Sequence, residues 1–309
     1  MRKPAYLSPT ALNCFEKSVE DYYVQYLMEP RVPRDPQTAP MAVGSSFDAY
    51  VKCSLAVDLL GPERANELNL DFDRVFNSQV EEHNRDKARI DGSYVFGIYK
   101  SSGAYAALRA ELEKSPMEPQ LDLKITFPFT PTPVGVEQAP LVLHARPDLV
   151  YWTPEGTRIV LDWKVNGFYA QKPPSPAPKY RTCWDYAGKA KTHKDFVPMY
   201  VDGVLVHGGM LGLKDDWATQ LTTYGWSVGD GTFGGEDIYH IEQIIGKLEW
   251  RIAQHVHLIP RDYRVSVYER YLRLWREINS GFTCLTEARK GELVAAYTNT
   301  DFRACTHED

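Results

Sequence analysis

The stretch from Leu141 to Val165 limits the possible folds more than any other part of this chain. Two runs rich in β-branched and aromatic residues, Leu141 to Trp152 and Arg158 to Val165, flank Thr153, Pro154, Glu155, Gly156 and Thr157. That central pentad is turn chemistry, and the pattern predicts an antiparallel hairpin. If the hairpin turns symmetrically about Glu155, Asp148 lies across from Asp162, with Cβ atoms roughly 4.5–5.5 Å apart. Side chains alternate along a strand, so Asp162 and Lys164 share one face while Leu161 and Trp163 share the other.

Two acids in register repel unless something positive stands between them. A divalent cation is the natural candidate. With oxygen donors and neither thiolate nor imidazole in the set, Mg²⁺ or Mn²⁺ suits it better than zinc. Lys164 beside such an ion would orient a water or help deprotonate it. The other reading is a surface hairpin with scattered charges, and a bulge in either strand would shift the register.

The rest of the chain reads as helices around a small mixed sheet. Ser8 and Pro9 supply a cap and a first-turn proline. Leu12, Phe15, Val19, Tyr22, Tyr23 and Tyr26 follow before Pro30 ends the helix. A proline-rich linker runs to Pro40, a second helix spans about Met41 to Leu59, and charged helical segments fill Pro62 to Glu113. Leu121 to Thr130 reads as a strand and Lys172 to Lys179, with four prolines, as a loop. A helix from Leu213 to Val228 leads through a glycine-rich connection, Gly229 to Gly235. That connection has no Gly-Lys-Ser/Thr and so is not a phosphate-binding P-loop. A hairpin of Tyr239 to Ile245 and Trp250 to Ile259 turns at Gly246 and Lys247. Helices from Arg261 to Asn279 and Leu285 to Tyr297 close the chain. The expected class is α/β or α+β, one domain over 1–309, with a mostly helical part (1–115), a sheet core (116–260) and closing helices (261–309).

With 309 residues, 43% apolar and 25% charged, the chain can bury a core, which excludes wholesale disorder. Its formal charge of −6 argues against an open basic surface for nonspecific duplex binding, though not against a local basic channel. No apolar run approaches the ~18 residues of a membrane span, and the N-terminus lacks the apolar core of a secretory signal. Five scattered cysteines with no Cys-x-x-Cys spacing suit free thiols in a reducing cytoplasm. An iron–sulfur cluster would want closely spaced thiolates, so none is expected.

Other candidates are local. Val43, Phe47, Val51, Leu55 and Leu59 form one apolar helical stripe, and Asp48 projects inside it. A carboxylate aimed into a packed face needs a partner or a metal. Asp58 competes from near the helix end, and Gly44, one turn before Asp48, would let the backbone approach the sheet. Gln220 and Tyr224 share a helical face with Trp217 and Leu221, where Tyr224 could simply be core and Gln220 an exposed helix former. His255 and His257 share a strand face, and a pair without a third ligand reads as structural. Lys172, Lys179, Arg181, Lys189, Lys191 and Lys194 interleave with Tyr180, Trp184 and Tyr186. This is either a solvated loop or a DNA-contacting segment in which cations meet phosphates and aromatics meet bases.

Pro147 and Asp148 followed by Asp162, Trp163 and Lys164 resemble the motif of the PD-(D/E)XK nuclease superfamily. Three further segments resemble its RecB-like branch, which includes CRISPR-associated and phage exonucleases. They are Leu7 to Leu12 with Asp21, Tyr22 and Tyr23; Gly44 to Asp48; and Gln220 with Tyr224. Many members of the branch carry histidine where this chain has Asp48. Members with an iron–sulfur cluster carry a cysteine near the position of Ser18, and more near the C-terminus.

The resemblance implies a restriction-endonuclease-like core and a metal-dependent deoxyribonuclease. One or two Mg²⁺ or Mn²⁺ ions would be held by Asp48, Asp148, Asp162 and the Trp163 backbone carbonyl. Lys164 would position the attacking water, and Gln220 and Tyr224 would hold the lysine or a DNA phosphate. In-line hydrolysis would leave a 5′-phosphate. Action on DNA ends is the first expectation, with a single-strand annealing protein as a partner in a phage or bacterial host; the chain could be a homo-oligomer or a monomer, and a ring-forming oligomer would favour processive end resection. A catalytically weak nucleic-acid-binding or assembly protein on the same fold is the alternative.

Overall fold

The computed structural model describes residues 1–129, 141–172, 174–229, 237–246 and 249–298. The expected glycine-rich connection falls largely outside these residues, as do Lys247 of the expected turn and Cys305.

Helix α1 (Pro9–Lys17) starts as predicted, with Ser8 Oγ accepting from the Ala11 N–H at 3.2 Å. Where one helix to Pro30 is expected, the chain breaks at Ser18. Its extended backbone and its hydroxyl, which accepts from the Asp21 N–H, restart the helix as α2 (Val19–Tyr22). The turn then widens to a π-helix over Tyr23–Leu27. Helix α3 (Ala39–Glu67) is two helices joined across a kink: Gly61, at φ +83° and ψ 162°, is not helical, so the first part ends where expected and Pro62 opens the next. Helices α4 (Phe72–Gln79), α5 (Arg85–Ser101) and α6 (Ala104–Leu112) occupy the charged segment. The close approach in this layer lies at Gly92 of α5, where an added Cβ would stand 2.2 Å from Ser46 Oγ. Gly44, expected to serve that purpose, faces open space.

The strands are β1 (Gln120–Leu121), β2 (Ile125–Phe129), β3 (Leu141–Ala145), β4 (Leu149–Trp152) and β5 (Arg158–Asn166). Further along come β6 (Thr182–Asp185), β7 (Ala190–Lys191), β8 (Pro198–Val201) and β9 (Val204–Gly208). After helix α7 (Asp215–Val228) follow β10 (Ile238–Ile245) and β11 (Arg251–Leu258), then α8 (Arg261–Asn279) and α9 (Glu287–Thr298). Leu141 to Trp152, read as one strand, is two: Arg146 to Asp148 leave the ladder, so β3 pairs with β2 in its own hairpin and β4 joins the main sheet.

Among the described residues the main sheet runs β1-β4-β5-β10-β11-β6-β7, with β9 beside β11 and β8 beside β9. Strand β10 lies parallel to β5, while its other neighbour, β11, is antiparallel. The sheet is therefore mixed, with helices on both faces. Leu149, Tyr151, Leu161 and Trp163 pack with Val43, Phe47 and Val51 of α3 and with residues of α5 and α6. On the other face, Val160, Tyr239 and Ile241 pack with Trp217, Leu221 and Tyr224 of α7. A third cluster joins α1, α8 and the β2–β3 hairpin around Trp226, Tyr268 and Tyr271. This is the restriction-endonuclease-like arrangement anticipated above. No helix among the described residues is long and apolar enough to cross a membrane.

Candidate active site

The site forms where β1, β4 and β5 meet. Strand β4 pairs with β5 as Leu149 with Leu161 and Val150 with Val160, which is the predicted register. Asp148 stands one residue before the ladder, so it is not a cross-strand partner of Asp162 in the strict sense. Its Oδ2 accepts from the Trp163 N–H at 3.1 Å, which ties it to the strand that carries Asp162 and Lys164. On the far side β1 pairs Leu121 with Leu149, and the Asp122 N–H donates to the Asp148 carbonyl at 3.1 Å. Asp122, Asp148 and Asp162 thus follow one line across three strand positions.

Such a line of like charges needs cations, and α3 supplies one from within. Lys52 is 2% exposed. Its Nζ lies 2.8 Å from Asp48 Oδ2, 2.8 Å from Asp148 Oδ1 and 3.2 Å from Asp122 Oδ1. Burial would strip its proton, but Asp148, Asp48 and Asp122 outweigh that and raise its pKa. The reverse holds for Asp48: burial lifts its carboxyl to about 6 with Asp148 adding to the rise, although Lys52 opposes it.

The second ammonium belongs to Lys164. It is ion-paired with Asp162 Oδ2 and donates to Gln220 Oε1 at 2.8 Å. The Gln220 amide nitrogen donates to Asp162 Oδ1 at 3.0 Å and also to the Tyr224 hydroxyl. One glutamine therefore fixes the carboxylate and the lysine of β5 relative to each other from α7. Asp162 is 2% exposed, and burial pushes its carboxyl up to about 7 with the Asp148 charge adding to the shift. Tyr224 is raised further, by burial and then by Asp162, and stays a neutral phenol.

The structure thus brings together Asp48, Asp148, Asp162, Trp163, Lys164, Gln220 and Tyr224, and adds Lys52 and Asp122. Lys52 had a signal, since it follows the inward-facing Asp48 by one helical turn. Asp122 had none in the sequence; its place depends on β1 pairing with β4. Asp58, the competing acid, accepts from the Tyr105 hydroxyl at 2.9 Å and is not drawn into the site.

The basic segment divides. Arg181 turns inward, donating to Gln254 Oε1 at 2.7 Å and to Glu111 Oε1 at 3.4 Å, which removes it from the surface expected of a DNA contact. Lys179 points at Asp195, 3.8 Å away. Lys189, Lys191 and Lys194 are exposed. The segment is not a plain loop: β6 and β7 cross it, and their short, polar strands carry no alternation to betray them. A row of paired residues runs from Lys164 through Gln243, Ala253 and Cys183 to Lys191, so Lys191 shares the sheet face of Lys164. Four strand spacings separate them, about 19 Å. His255 and His257 do share a face, buried, and burial lowers their pKa values to about 3 and about 4, so both rings are neutral.

Among the described residues no three His, Cys, Asp or Glu side chains gather at the spacing that encloses a metal ion. The carboxylates are arranged around the two ammoniums. The donor chemistry nonetheless fits a hard divalent cation. Asp48 Oδ1 is buried without a hydrogen-bond partner, and Asp148 Oδ2 has only the Trp163 N–H. Carboxylate oxygens are what Mg²⁺ and Mn²⁺ prefer.

Residues 6–182, more than half of the chain, match the family model of the PD-(D/E)XK nuclease superfamily. The chain belongs to that superfamily. The match spans Asp48, Asp148 and the Asp162–Lys164 pair, and it ends before Gln220. Superfamily members are typically divalent-metal-dependent nucleases, so nuclease activity on nucleic acid is the coarse function that membership supports. No curated protein matches. A solved structure described as "Crystal structure of SSO0001" is 13% identical, covering 79% of this chain and 85% of that one, with a TM-score of 0.24. So loose an overlap bears on neither fold nor function.

Proposed function

We propose that this PD-(D/E)XK protein is a Mg²⁺- or Mn²⁺-dependent deoxyribonuclease that hydrolyses phosphodiester bonds at DNA ends. The observation that carries the reading is the joint hold on Lys164 by Asp162 and Gln220, beside Asp148. Asp48 Oδ1, Asp148, Asp162 and the Trp163 carbonyl are the groups that would hold the ion. When bound, a divalent ion lowers the pKa of the attacking water and offsets charge on the leaving oxygen.

Lys164 supplies a fixed positive charge toward which negative charge on the phosphate can develop. Asp162 and Gln220 keep its Nζ from rotating away, and Tyr224 keeps the Gln220 amide in the orientation that serves both. In the hydrolysis, the water oxygen bonds to phosphorus as the bond to the 3′ oxygen breaks. The departing oxygen takes a proton, and the products are a 5′-phosphate and a 3′-hydroxyl. Lys191, on the sheet face of Lys164, and the exposed Lys189 and Lys194 near it in sequence offer phosphate contacts, and the shared face of Lys164 and Lys191 supports that path. The RecB-like resemblance supports end-directed action, and it alone supports an annealing protein as partner.

The test is incubation of linear and covalently closed circular DNA with Mg²⁺, Mn²⁺ or EDTA. The proposal expects metal-dependent loss of the linear form with the circle spared. Cleavage of both would replace end-directed action with internal cutting. No cleavage by folded protein over a range of metals and pH would remove the enzymatic reading.

A further inference from the structure

Lys52 has no part in the mechanism above, yet at 2% exposure it is as enclosed as Asp162. We infer that Lys52 is a built-in counter-cation that takes the place of a second metal ion, so that this site binds one divalent ion per chain. The inference rests on the metal-dependent reading proposed above.

Three observations carry it. The first is coordination: a lysine ammonium has three N–H groups, and three different carboxylates lie within 3.2 Å of Lys52 Nζ. The second is charge. Asp48, Asp122, Asp148 and Asp162 bring four formal negative charges, and Lys52 and Lys164 bring two positive ones, which leaves two negatives for a cation to offset. One divalent ion completes the balance, whereas a second would leave a buried positive excess. Lys124, the other partner of Asp122, is 46% exposed along its side chain and is screened by solvent. The third is anchorage. Lys52 sits mid-helix between Val51, fully buried, and Cys53, 7% exposed. Its stem cannot swing to solvent without leaving Asp48 and Asp148 without the ammonium they share, Asp122 alone keeping a second cation in Lys124. Lys52 also divides the oxygens: Asp122 Oδ1 and Asp48 Oδ2 are engaged with it, while Asp48 Oδ1 is left without a partner.

The decisive measurement counts Mn²⁺ bound to the wild-type chain, by calorimetry and by the paramagnetic resonance signal of free Mn²⁺. One ion per chain is expected. Lys52→Met keeps the length of the side chain and removes the charge. It is expected to bind its first ion tighter by on the order of tenfold to a hundredfold, and to take up a second. Lys52→Arg is expected to keep a count of one. Two ions of similar affinity on the wild type would overturn the inference and leave the nuclease reading standing, as would a count of one on folded Lys52→Met. No ion on the wild type would overturn the metal-dependent reading itself. If Lys52→Met does not fold with or without Mn²⁺, the wild-type count alone decides.

Discussion

Replacing Glu242 by glutamine tests how the sheet behind the site tolerates charge. Glu242 lies on β10, on the face opposite Asp162, and is fully buried. Trp163 Nε1 donates to its Oε2 at 3.1 Å, Gln254 Nε2 donates to its Oε1 at 2.9 Å, and the Tyr99 hydroxyl donates to Oε2 as well. Burial outweighs these donors and lifts the carboxyl from its ordinary 4.5 to about 7. The folded chain therefore keeps this proton over a range in which the unfolded chain has lost it. Stability from this group is complete below about pH 4.5, is lost as pH rises from there to about 7, and changes no further above that. At 1.36 kcal/mol per pKa unit, the loss is about 3 kcal/mol across that window. Urea unfolding of wild type and Glu242→Gln at pH 5, 6, 7 and 8 isolates the effect. His255 and His257 pull the other way below pH 6.5, because they fold neutral, but they do so equally in both proteins. The wild type should lose about 2–3 kcal/mol relative to the glutamine variant between pH 5 and pH 8, the first part of the loss having occurred below pH 5. A constant difference between the two proteins would refute the reasoning, as would one that grows in the opposite direction.

Three further outcomes are expected. Gln220→Leu removes both hydrogen bonds that align Lys164 with Asp162, so kcat should fall about 10- to 100-fold with Mn²⁺ affinity nearly unchanged, as read by single-turnover cleavage and calorimetry. Gly92→Ala forces a methyl group against Ser46 where α5 crosses α3, and should cost about 1–3 kcal/mol in urea unfolding at constant metal. Reversing Lys189, Lys191 and Lys194 to glutamate together should weaken DNA binding at 50 mM salt and flatten its dependence on salt concentration by a slope of about 2–3, while Arg181→Gln should instead lower stability through Gln254 and Glu111.

Much of this was legible in the residues, for physical reasons that differ by element. The hairpin around Pro154 and Gly156 carried its register because turn chemistry and strand composition agree there. Its pairing of Leu149 with Leu161 follows from where the turn is centred. The α8 boundaries, Arg261 and Asn279, were readable from apolar periodicity. The break at Ser18 was hidden because one hydroxyl decides it against an uninterrupted apolar pattern. Strands β6 to β9 were hidden because each is only two to five residues long, too short to show an alternation. The set of charges at the site was half visible. Asp148, Asp162 and Lys164 lie close in sequence, whereas Asp122 reaches them only through pairing with β4, and Lys52, one helical turn after Asp48, shows its three partners only once α3 is seen to bury it.

The central claim is that Lys164, held by Asp162 and Gln220, serves phosphodiester hydrolysis. Its most direct test is Lys164→Ala, measured for folding, Mn²⁺ binding and cleavage of end-labelled linear DNA in one series. The account predicts a folded chain that still binds Mn²⁺ and has lost cleavage by a factor of 100 or more, roughly 3 kcal/mol of transition-state stabilisation. Cleavage at the wild-type rate by that folded, metal-bound variant would contradict it.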